Sequence, residues 1–467
     1  MPQWILRHQW LGILMVISAG LLLAFSACGG DDEGEESPAA TTPAADEAGC
    51  EGGPGVTGDG EPLKIGLLVS YTGALASFGP EHENAAKLAA KCINDAGGVN
   101  GGEVEIITGD DGTNPEQAVS EATRLVEVEG VVAFVGGLAS SVSLAVAATV
   151  AVPNEILQIS PASTSPALSA VSDDDFLFRT PISDAAQGVV LAQTVYDDLA
   201  YTSVCTMYVN NAYGQGLNNQ FVETYTELGG TVTAEVSHDD AQATSYQAQL
   251  QQCTEGDPEA LIAISYPTGQ AAVYLREALE SGQIENFVFV DGTKDDEMFE
   301  TLGWDQFDGM QGTAPGALVT AFGDAFDEAY EAEYGESYQV AFVREAFDAT
   351  IVIALAAAAA GTNTDSAAIR DELRNVANSP GTEYGPPTDI PAALEAIAAG
   401  DDVNYSGASG SVDFDENGDV TFGAIEIWVV DAANKELKTI KAFSVDLATG
   451  DVEPIEDGGG EEASPTP

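Results

Sequence analysis

The hydrophobic positions along this chain fall into two alternating kinds of segment. Short, mostly apolar runs such as Lys64–Ser70 and Val131–Val135 are typical of strands buried on both faces of a sheet. Longer amphipathic segments lie between them, such as a helix predicted from about Pro80 to Ala96 that ends at Gly97-Gly98. The pattern therefore predicts an α/β fold with parallel sheets covered by helices.

The alternation of strand and helix runs twice along the chain. The second series has predicted strands at Ser203–Val209, Thr231–Val236, Ala260–Ser265 and Phe287–Val290. The segment Phe178-Arg179-Thr180-Pro181 separates the two series and is the predicted crossing between them. We therefore expect two doubly wound, Rossmann-like units, followed by long helices and a hairpin turn around Asp415–Asp419.

The two ends of the chain have compositions that do not support a core. Arg7 precedes an apolar run from Leu11 to Phe25 that is too short for a stable membrane span and is typical of an export signal. Residues 29–61 contain almost no apolar side chains, and we expect a disordered acidic tether there. The tail from 447 to 467 is predicted to be disordered as well.

The charge of the chain is strongly acidic. It has 76 Asp and Glu against 14 Lys and Arg, a formal net charge of −62. Such a surface repels nucleic acid and anionic lipid, so neither is expected as a partner. The composition favours a salty habitat or a partner with basic patches.

Five cysteines are compatible with an exported protein. Cys205 lies in one predicted strand and Cys253 just before another, so a Cys205–Cys253 disulfide is favoured over free buried thiols. A second pair, Cys50–Cys92, stays open, because Cys92 lies on the apolar face of a helix.

A hydroxyl-rich loop follows the apolar strand Ile156–Ile159. The loop Ser160–Ser165 has little bulk and is stiffened by Pro161 and Pro166. Hydroxyls and free backbone N–H groups at the carboxyl end of a strand suit a small polar ligand, although an ordinary strand-to-helix turn has the same composition.

Several motifs together resemble a known family. They occur in order as Tyr71-Thr72-Gly73, Val135-Gly136-Gly137, Ser140-Ser141, the Ser160–Thr164 loop and Asn211-Ala212-Tyr213-Gly214. Over about 62–445 the chain resembles the periplasmic branched-chain amino-acid-binding proteins, the substrate-binding subunits of ABC importers. The resemblance implies a type I periplasmic binding fold, in which three hinge crossings join two lobes.

The resemblance also implies a division of the chain. The expected segments are a lipoprotein signal peptide (1–28), the tether (29–61), lobe 1 (62–180 plus 316–410), lobe 2 (181–315 plus 411–446) and the tail (447–467). The end of the signal resembles a lipobox, which implies lipidation of Cys28, although the usual Leu three residues earlier is Phe25 here. The protein is then lipid-anchored outside the cytoplasmic membrane; ordinary cleavage to a free periplasmic protein is the alternative.

The family's ligand site maps onto residues at the ends of strands. The resemblance implies that Ser140 and Ser141 meet the ligand carboxylate, and that Ala162, Ser163 and Thr164 hold both carboxylate and ammonium. Asp291 matches the acidic residue that meets the ammonium, where the family usually has Glu. Ser140 and Asp291 are also ordinary helix-capping residues, so a purely structural role stays open.

Aromatic residues are expected to wall the ligand. Phe78, Tyr213, Tyr266 and Phe347 match such positions, with Phe78 and Phe347 replacing tyrosines. Arg344 precedes Phe347 by about one helical turn. If Arg344 faced the cleft, the ligand would carry a second carboxylate; a surface role is the alternative.

Other chemistries are not supported by the sequence. Residues 413–419 match the first half of an EF-hand loop, but Ala424 stands where the bidentate Glu belongs, and a hairpin turn at Asn417-Gly418 is favoured over calcium. The histidines are scattered, and no phosphate-binding glycine loop is present. We expect no enzymatic activity, no metal and no cofactor.

Three hypotheses for function remain at this stage. The favoured one is a monomeric solute receptor that closes on a small amino-acid-like ligand and delivers it to an ABC permease and ATPase complex. The second is the same fold acting as a sensor for a signalling partner. Within transport, urea, short amides and aromatic acids are alternative ligands.

The charge balance generates a prediction about salt. With so few basic residues to pair with the carboxylates, self-repulsion opposes the compact state at low ionic strength and is screened within about 10 Å at 0.1 M salt. The melting temperature should therefore rise from a few millimolar to molar salt. Equal melting temperatures in dilute buffer and molar salt would show that the carboxylates are too widely spaced to matter.

Overall fold

The computed structural model describes residues 50, 55–56, 58–316 and 320–455. The predicted signal peptide with Cys28, the tether up to residue 49 and the tail beyond 455 lie outside the described residues. Within the described part, the helices are too short or too polar to cross a bilayer.

The first lobe contains a parallel five-stranded sheet. Its strands follow one another in space as β2-β1-β3-β4-β5. They are β1 (Leu63–Val69), β2 (Val104–Asp110), β3 (Ala133–Gly136), β4 (Leu157–Ser160) and β5 (Leu177–Arg179). The helices between them are α1 (Phe78–Asp95), α2 (Pro115–Arg124) and α3 (Ser140–Val146). Every residue of β3 and β4 is buried, as expected for strands covered on both faces.

The second lobe repeats this plan with a parallel four-stranded sheet in the order β7-β6-β8-β9. Its strands are β6 (Ser203–Val209), β7 (Thr231–His238), β8 (Ala260–Ile264) and β9 (Phe287–Val288). Its helices are α4 (Asp184–Gln193), α5 (Ala212–Glu227), α6 (Gln247–Thr254), α7 (Ala272–Ser281) and α8 (Asp296–Leu302). An antiparallel sheet adjoins it, formed by β10 (Gln311–Gly316), β13 (Phe422–Asp431), β14 (Glu436–Asp446) and β15 (Asp451–Ile455).

The chain passes between the lobes three times. It leaves the first lobe after β5, returns after β10 and leaves again before β13. The returning segment forms a small parallel pair and helices that pack on the first lobe; they are α9 (Ala321–Tyr334), α10 (Val343–Ala360), α11 (Ser366–Ala377), α12 (Ile390–Ala399), β11 (Thr382–Tyr384) and β12 (Val403–Tyr405). The predicted α/β fold with two lobes and three crossings is confirmed.

Both termini of the described part are more ordered than composition predicts. The end of the expected tether packs on the first lobe: Gly60 N donates to Gly101 O (3.0 Å), and Asn363 Nδ2 donates to Glu61 O (2.7 Å). In the expected tail, β15 pairs with β14, and Val452 packs against a small cluster that includes Ile182. Few apolar residues are enough there, because an existing strand supplies the backbone partners.

The favoured Cys205–Cys253 disulfide is present, and so is the Cys50–Cys92 pair that the sequence left open. Cys50 is bonded to Cys92, with a Cα–Cα distance of 4.5 Å, and Cys205 to Cys253, with a Cα–Cα distance of 5.5 Å. The first attaches the segment before β1 to α1, and the second attaches α6 to β6.

The two lobes touch each other across the cleft between them. Ser165 Oγ of the first lobe donates to Ala212 O of the second (2.7 Å), and Thr268 N donates to Ala74 O (3.2 Å). Gly216 lies at a close approach of the lobes, because a Cβ there would lie 2.8 Å from Pro166 Cδ. A side chain at this position therefore does not fit while the lobes are in contact.

This close approach predicts the effect of a valine. Gly216→Val should keep the fold, since the residue is on a helix surface within its own lobe, but should hold the lobes apart. We expect ligand affinity to fall at least tenfold and small-angle scattering to show no compaction with ligand. Wild-type affinity in this variant would contradict the observed lobe contact as the bound arrangement.

Candidate functional site

A cavity of about 20 Å³ lies between the lobes at the carboxyl ends of both parallel sheets. This volume is near that of a single water molecule, so a larger ligand requires the lobes to part. The lining residues come from both lobes and are Leu75, Phe78, Leu138, Ala139, Ser140, Ala162, Tyr213, Tyr266, Asp291, Gly292 and Phe342.

The first-lobe side of the cavity is built by Ser140 and the loop after β4. Ser140 is the first residue of α3, where backbone N–H groups are free and favour an anion. Its Oγ accepts a hydrogen bond from Ser165 N (3.2 Å), which ties the helix start to the loop. This arrangement suits a ligand carboxylate.

The second-lobe side of the cavity is built around Asp291, three residues beyond the end of β9. Its Oδ1 accepts hydrogen bonds from Tyr213 Oη (2.8 Å) and Gln187 Nε2 (2.8 Å). Tyr213 stacks on Tyr266 with ring centroids 5.5 Å apart, and Asn211 Nδ2 donates to Tyr266 Oη. The carboxylate and both phenol rings are therefore held in fixed positions.

A second carboxylate, that of Asp184, was not predicted; it does not line the cavity, but it lies close enough to Asp291 for their charges to interact. Asp184 begins α4 and is fully buried, and neither of its carboxylate oxygens has a well-aligned hydrogen bond. The buried hydroxyl of Thr164 lies close enough to lower the pKa of Asp184, and it has no other partner. Buried polar atoms in this state call for an explanation, and a cationic ligand group is one.

The two aspartates perturb each other. Burial, and then the charge of Asp291, raises the pKa of Asp184 well above its ordinary value. Burial likewise raises the pKa of Asp291 to about 6, opposed by the hydrogen bonds from Tyr213 and Gln187. Two adjacent carboxylates with raised pKa values form a site that a cation stabilises.

The rest of the cavity wall is apolar. It is formed by Leu75, Phe78, Leu138 and Phe342. Phe342 precedes α10 in the left-handed conformation, with φ of 69°. A bulky residue in that conformation is strained, and strained residues cluster at ligand sites.

Some predicted site residues do not line the cavity. Ser163 Oγ bonds with Ser143 Oγ (2.8 Å) and donates to Leu138 O (3.1 Å), so it supports the loop from inside. Thr164 is buried behind the surface, and Ser141 Oγ is buried without a partner. The cavity is lined by Phe342 rather than by the predicted Phe347, which packs on Phe326 in the core with ring centroids 4.9 Å apart.

Arg344 does not face the cavity. Its Nη2 donates to Asp327 Oδ2 (2.5 Å) and its Nε to Asp327 Oδ1 (3.1 Å). The guanidinium is thus paired with a carboxylate of its own lobe, and the hypothesis of a second ligand carboxylate loses its motivation.

The sequence signals for the missed residues were weak. Asp184 follows Ser183, whose Oγ accepts from Ala185 N, so the pair has the pattern of an ordinary helix start. Gln187 lies one turn further on, where polar residues are common. Both residues lie on α4 in the same lobe as Asp291, and the packing of that helix within the lobe brings them to it.

The turn at 413–419 uses its carboxylates on protein donors. Asp415 Oδ1 accepts from Asn417 N and Asp419 N, and a bridge between Phe414 and Val420 closes the turn. In the part of the chain that the structure describes, no group of three or more His, Cys, Asp or Glu is arranged to hold a metal ion.

Comparisons with known proteins agree with this architecture. The family model described as "Periplasmic binding protein" matches residues 62–417. The "Leu/Ile/Val-binding protein homolog 1" of Brucella abortus is 29% identical over 313 residues, covering 64% of this chain and 79% of the relative. The "Chemotactic signal transduction system substrate-binding protein BasB" of Halobacterium salinarum is 26% identical over 367 residues, covering 76% and 84%.

A solved structure gives the same picture. The crystal structure of a leucine-binding protein from Thermotoga maritima has a TM-score of 0.68 and 26% identity, and the match covers 81% of this chain and 98% of that one. Members of the matched family act outside the cytoplasm. Because the family model spans well over half of the sequence, the protein belongs to the periplasmic binding protein family.

Proposed function

We propose that this protein binds a small amino acid with an apolar side chain and delivers it to an ABC permease and ATPase complex. The observation that carries the proposal is the buried carboxylate pair, Asp184 and Asp291, opposite the start of α3 at Ser140. A zwitterionic amino acid presents its ammonium to the carboxylate pair and its carboxylate to the start of α3.

The ammonium end is the more selective part of the site. Bringing the lobes together removes water from two adjacent carboxylates, and this is costly unless a cation accompanies them. A ligand ammonium supplies the charge and donates to the oxygens of Asp184, which have no well-aligned protein donor.

The side chain of the ligand meets an apolar wall. Leu75, Phe78, Leu138 and Phe342 offer no charge or hydrogen-bonding group. Leucine, isoleucine and valine fit this chemistry, and the Brucella relative is named as a Leu/Ile/Val-binding protein homologue. A dicarboxylic amino acid does not fit, since Arg344 is paired with Asp327.

The alternative ligands are less compatible with the site. Urea and short amides are neutral, and aromatic acids carry only a negative charge. None of these compensates the carboxylate pair, so they would have to bind while both aspartates hold protons. No group in the site is arranged as a catalytic constellation, and we propose a binding protein without enzymatic activity or cofactor.

A sensory role is the second candidate. The similarity to the chemotactic substrate-binding protein of Halobacterium salinarum over 84% of that relative favours it. The same ligand site serves either role, and the distinction lies in the partner. Crosslinking in membranes to a permease supports import, whereas crosslinking to a receptor supports sensing.

We also propose that the protein is a lipid-anchored monomer. The motivating feature is Phe25-Ser26-Ala27-Cys28 at the end of the apolar run. Metabolic labelling with a radioactive fatty acid should mark the wild type but not Cys28→Ser, and gel filtration of the released protein gives the oligomeric state.

A thermal-shift screen of amino acids, amides and aromatic acids tests the ligand class, because a ligand that binds only the folded state raises the melting temperature. Leucine, isoleucine or valine should give the largest shifts. A larger shift with urea or benzoate than with any amino acid would overturn the proposal.

Asp291→Ala should weaken leucine binding by roughly 2–5 kcal/mol, because it leaves the ammonium without one of its buried countercharges. Calorimetry with leucine measures this loss. The matched control is 4-methylpentanoate, which has the same carbon skeleton and carboxylate but no amine, and its affinity should not fall. Unchanged leucine affinity would remove Asp291 from the ammonium site.

Asp184→Asn should weaken leucine binding and stabilise the ligand-free protein. A carboxylate whose pKa is raised in the folded state is destabilising once it ionises, so the cost is absent below about pH 4 and grows as the pH rises through the raised values. At pH 8, without ligand, the variant should be more stable than the wild type by roughly 1–3 kcal/mol.

The same variant should lose this advantage near pH 3.5 and should bind leucine more weakly than the wild type. Asp305→Asn is the control, because it removes one exposed charge of equal sign. Equal gains in stability at pH 8 for both variants would mean that only net charge matters.

A further inference from the structure

One buried arginine, Arg179, lies behind the ligand site and plays no part in the proposed binding contacts. It is the last residue of β5, at the first crossing, and is fully buried. Its Nη1 donates to Ser165 O (2.9 Å) and Ser163 O (3.4 Å), and its Nη2 donates to Ser169 Oγ (2.9 Å). The guanidinium therefore supports the loop after β4 from the inside.

The opposite side of the guanidinium is held by the third crossing. Arg179 Nε donates to Asp419 Oδ1 (2.7 Å), and Arg179 N donates to Gly418 O (3.0 Å). Both partners belong to the Asp415–Asp419 turn that resembles half of an EF-hand loop. Here the last carboxylate of that turn pairs with an arginine.

Three successive carbonyls of the loop are held by alternating partners. The carbonyls of Ser163 and Ser165 accept from Arg179, whereas the carbonyl between them, Thr164 O, accepts from Asp184 N (2.8 Å). The amide of Ser165 in turn donates to Ser140 Oγ. Because Arg179 holds the carbonyls of Ser163 and Ser165, it also fixes the loop backbone that bonds with Asp184 and Ser140.

We propose that Arg179, held by Asp419, is a positioning residue that shapes the 163–165 loop and thereby sets the places of both Ser140 and Asp184. The expected change in ligand affinity rests on the proposed function. The effect of Arg179 on the geometry of the loop does not depend on which ligand binds.

Two physical features favour arginine for this task. Its planar fork presents several donors at fixed angles, so it reaches the two loop carbonyls, Ser169 and Asp419 at once, which a lysine cannot do. Its charge also opposes part of the rise in the pKa of Asp184.

The test compares Arg179→Lys and Asp419→Asn with a matched control, Arg374→Lys. Arg374 makes a two-bond pair with Asp175 (2.8 Å each) and donates to Asp415 O on the outer side of the same turn, without touching the loop. All three variants are made in the full chain. Leucine affinity is measured by calorimetry, and hydrogen exchange of the ligand-free proteins is measured by mass spectrometry.

We expect leucine affinity to fall ten- to a hundredfold in both test variants. Exchange of the amides at Thr164–Ser165 and Asp184–Ala185 should be at least tenfold faster than in the wild type. In Arg374→Lys the melting temperature should fall, while affinity and loop exchange stay at wild-type values, since that arginine contacts Asp175, the Phe178 ring and the turn but not the loop.

Wild-type exchange rates at these amides in Arg179→Lys would overturn the proposal. If Arg179→Lys does not fold, the exchange rates of Asp419→Asn are used for the same test. Equal losses in the control would also overturn it, because they would reflect general loosening of the turn. If the wild type binds no amino acid, the proposed function fails, and the exchange comparison still decides the role of Arg179.

Discussion

The structure depends most on the cost of enclosing Asp184 and Asp291 between the lobes. Both side chains are buried, and burial is the largest cause of their raised pKa values. When the lobes are apart, water can hydrate these carboxylates; when the lobes meet, that hydration is lost. A cationic group in the cleft offsets the loss, so the same interaction that selects the ligand also favours closure.

The crossings connect this site to the hinge. Asp184 is at the start of α4, directly after the first crossing, and its amide donates to Thr164 O of the first lobe. The loop that carries Thr164 rests on Arg179, which is paired with Asp419 before the last strands of the second lobe. A change in hinge angle therefore moves groups within hydrogen-bonding distance of the site.

Much of the fold followed from the periodicity of apolar residues, because buried parallel strands and amphipathic helices leave strong patterns. The strand Ser203–Val209 was predicted with the bounds that the structure has. β15 was missed, because its sequence is as polar as a disordered tail and its order depends on pairing with β14. Local sequence does not record such a partner.

The site was predicted unevenly for a related reason. Ser140, Ala162 and Asp291 follow strands whose ends meet at the cleft, so motif and topology together placed them at the cavity. The choice between Phe342 and Phe347 depended on how α10 begins. A left-handed phenylalanine before that helix is a conformation that residue type disfavours, and it aims the ring of residue 342 into the cavity.

Buried acidity has two meanings in this protein, and hydrogen bonds distinguish them. Asp348 is fully buried on α10, but its carboxylate accepts from Tyr405 Oη (2.6 Å), Ala408 N (2.9 Å), and the amide and hydroxyl of Ser409 (2.8 and 2.6 Å). Those donors make it part of the architecture of the third crossing. Asp184 is equally buried, but its nearby donor, the Thr164 hydroxyl, makes no well-aligned hydrogen bond with it. The first carboxylate is satisfied by the fold, whereas the second keeps acceptor capacity that a cationic group can use, as expected for a binding site.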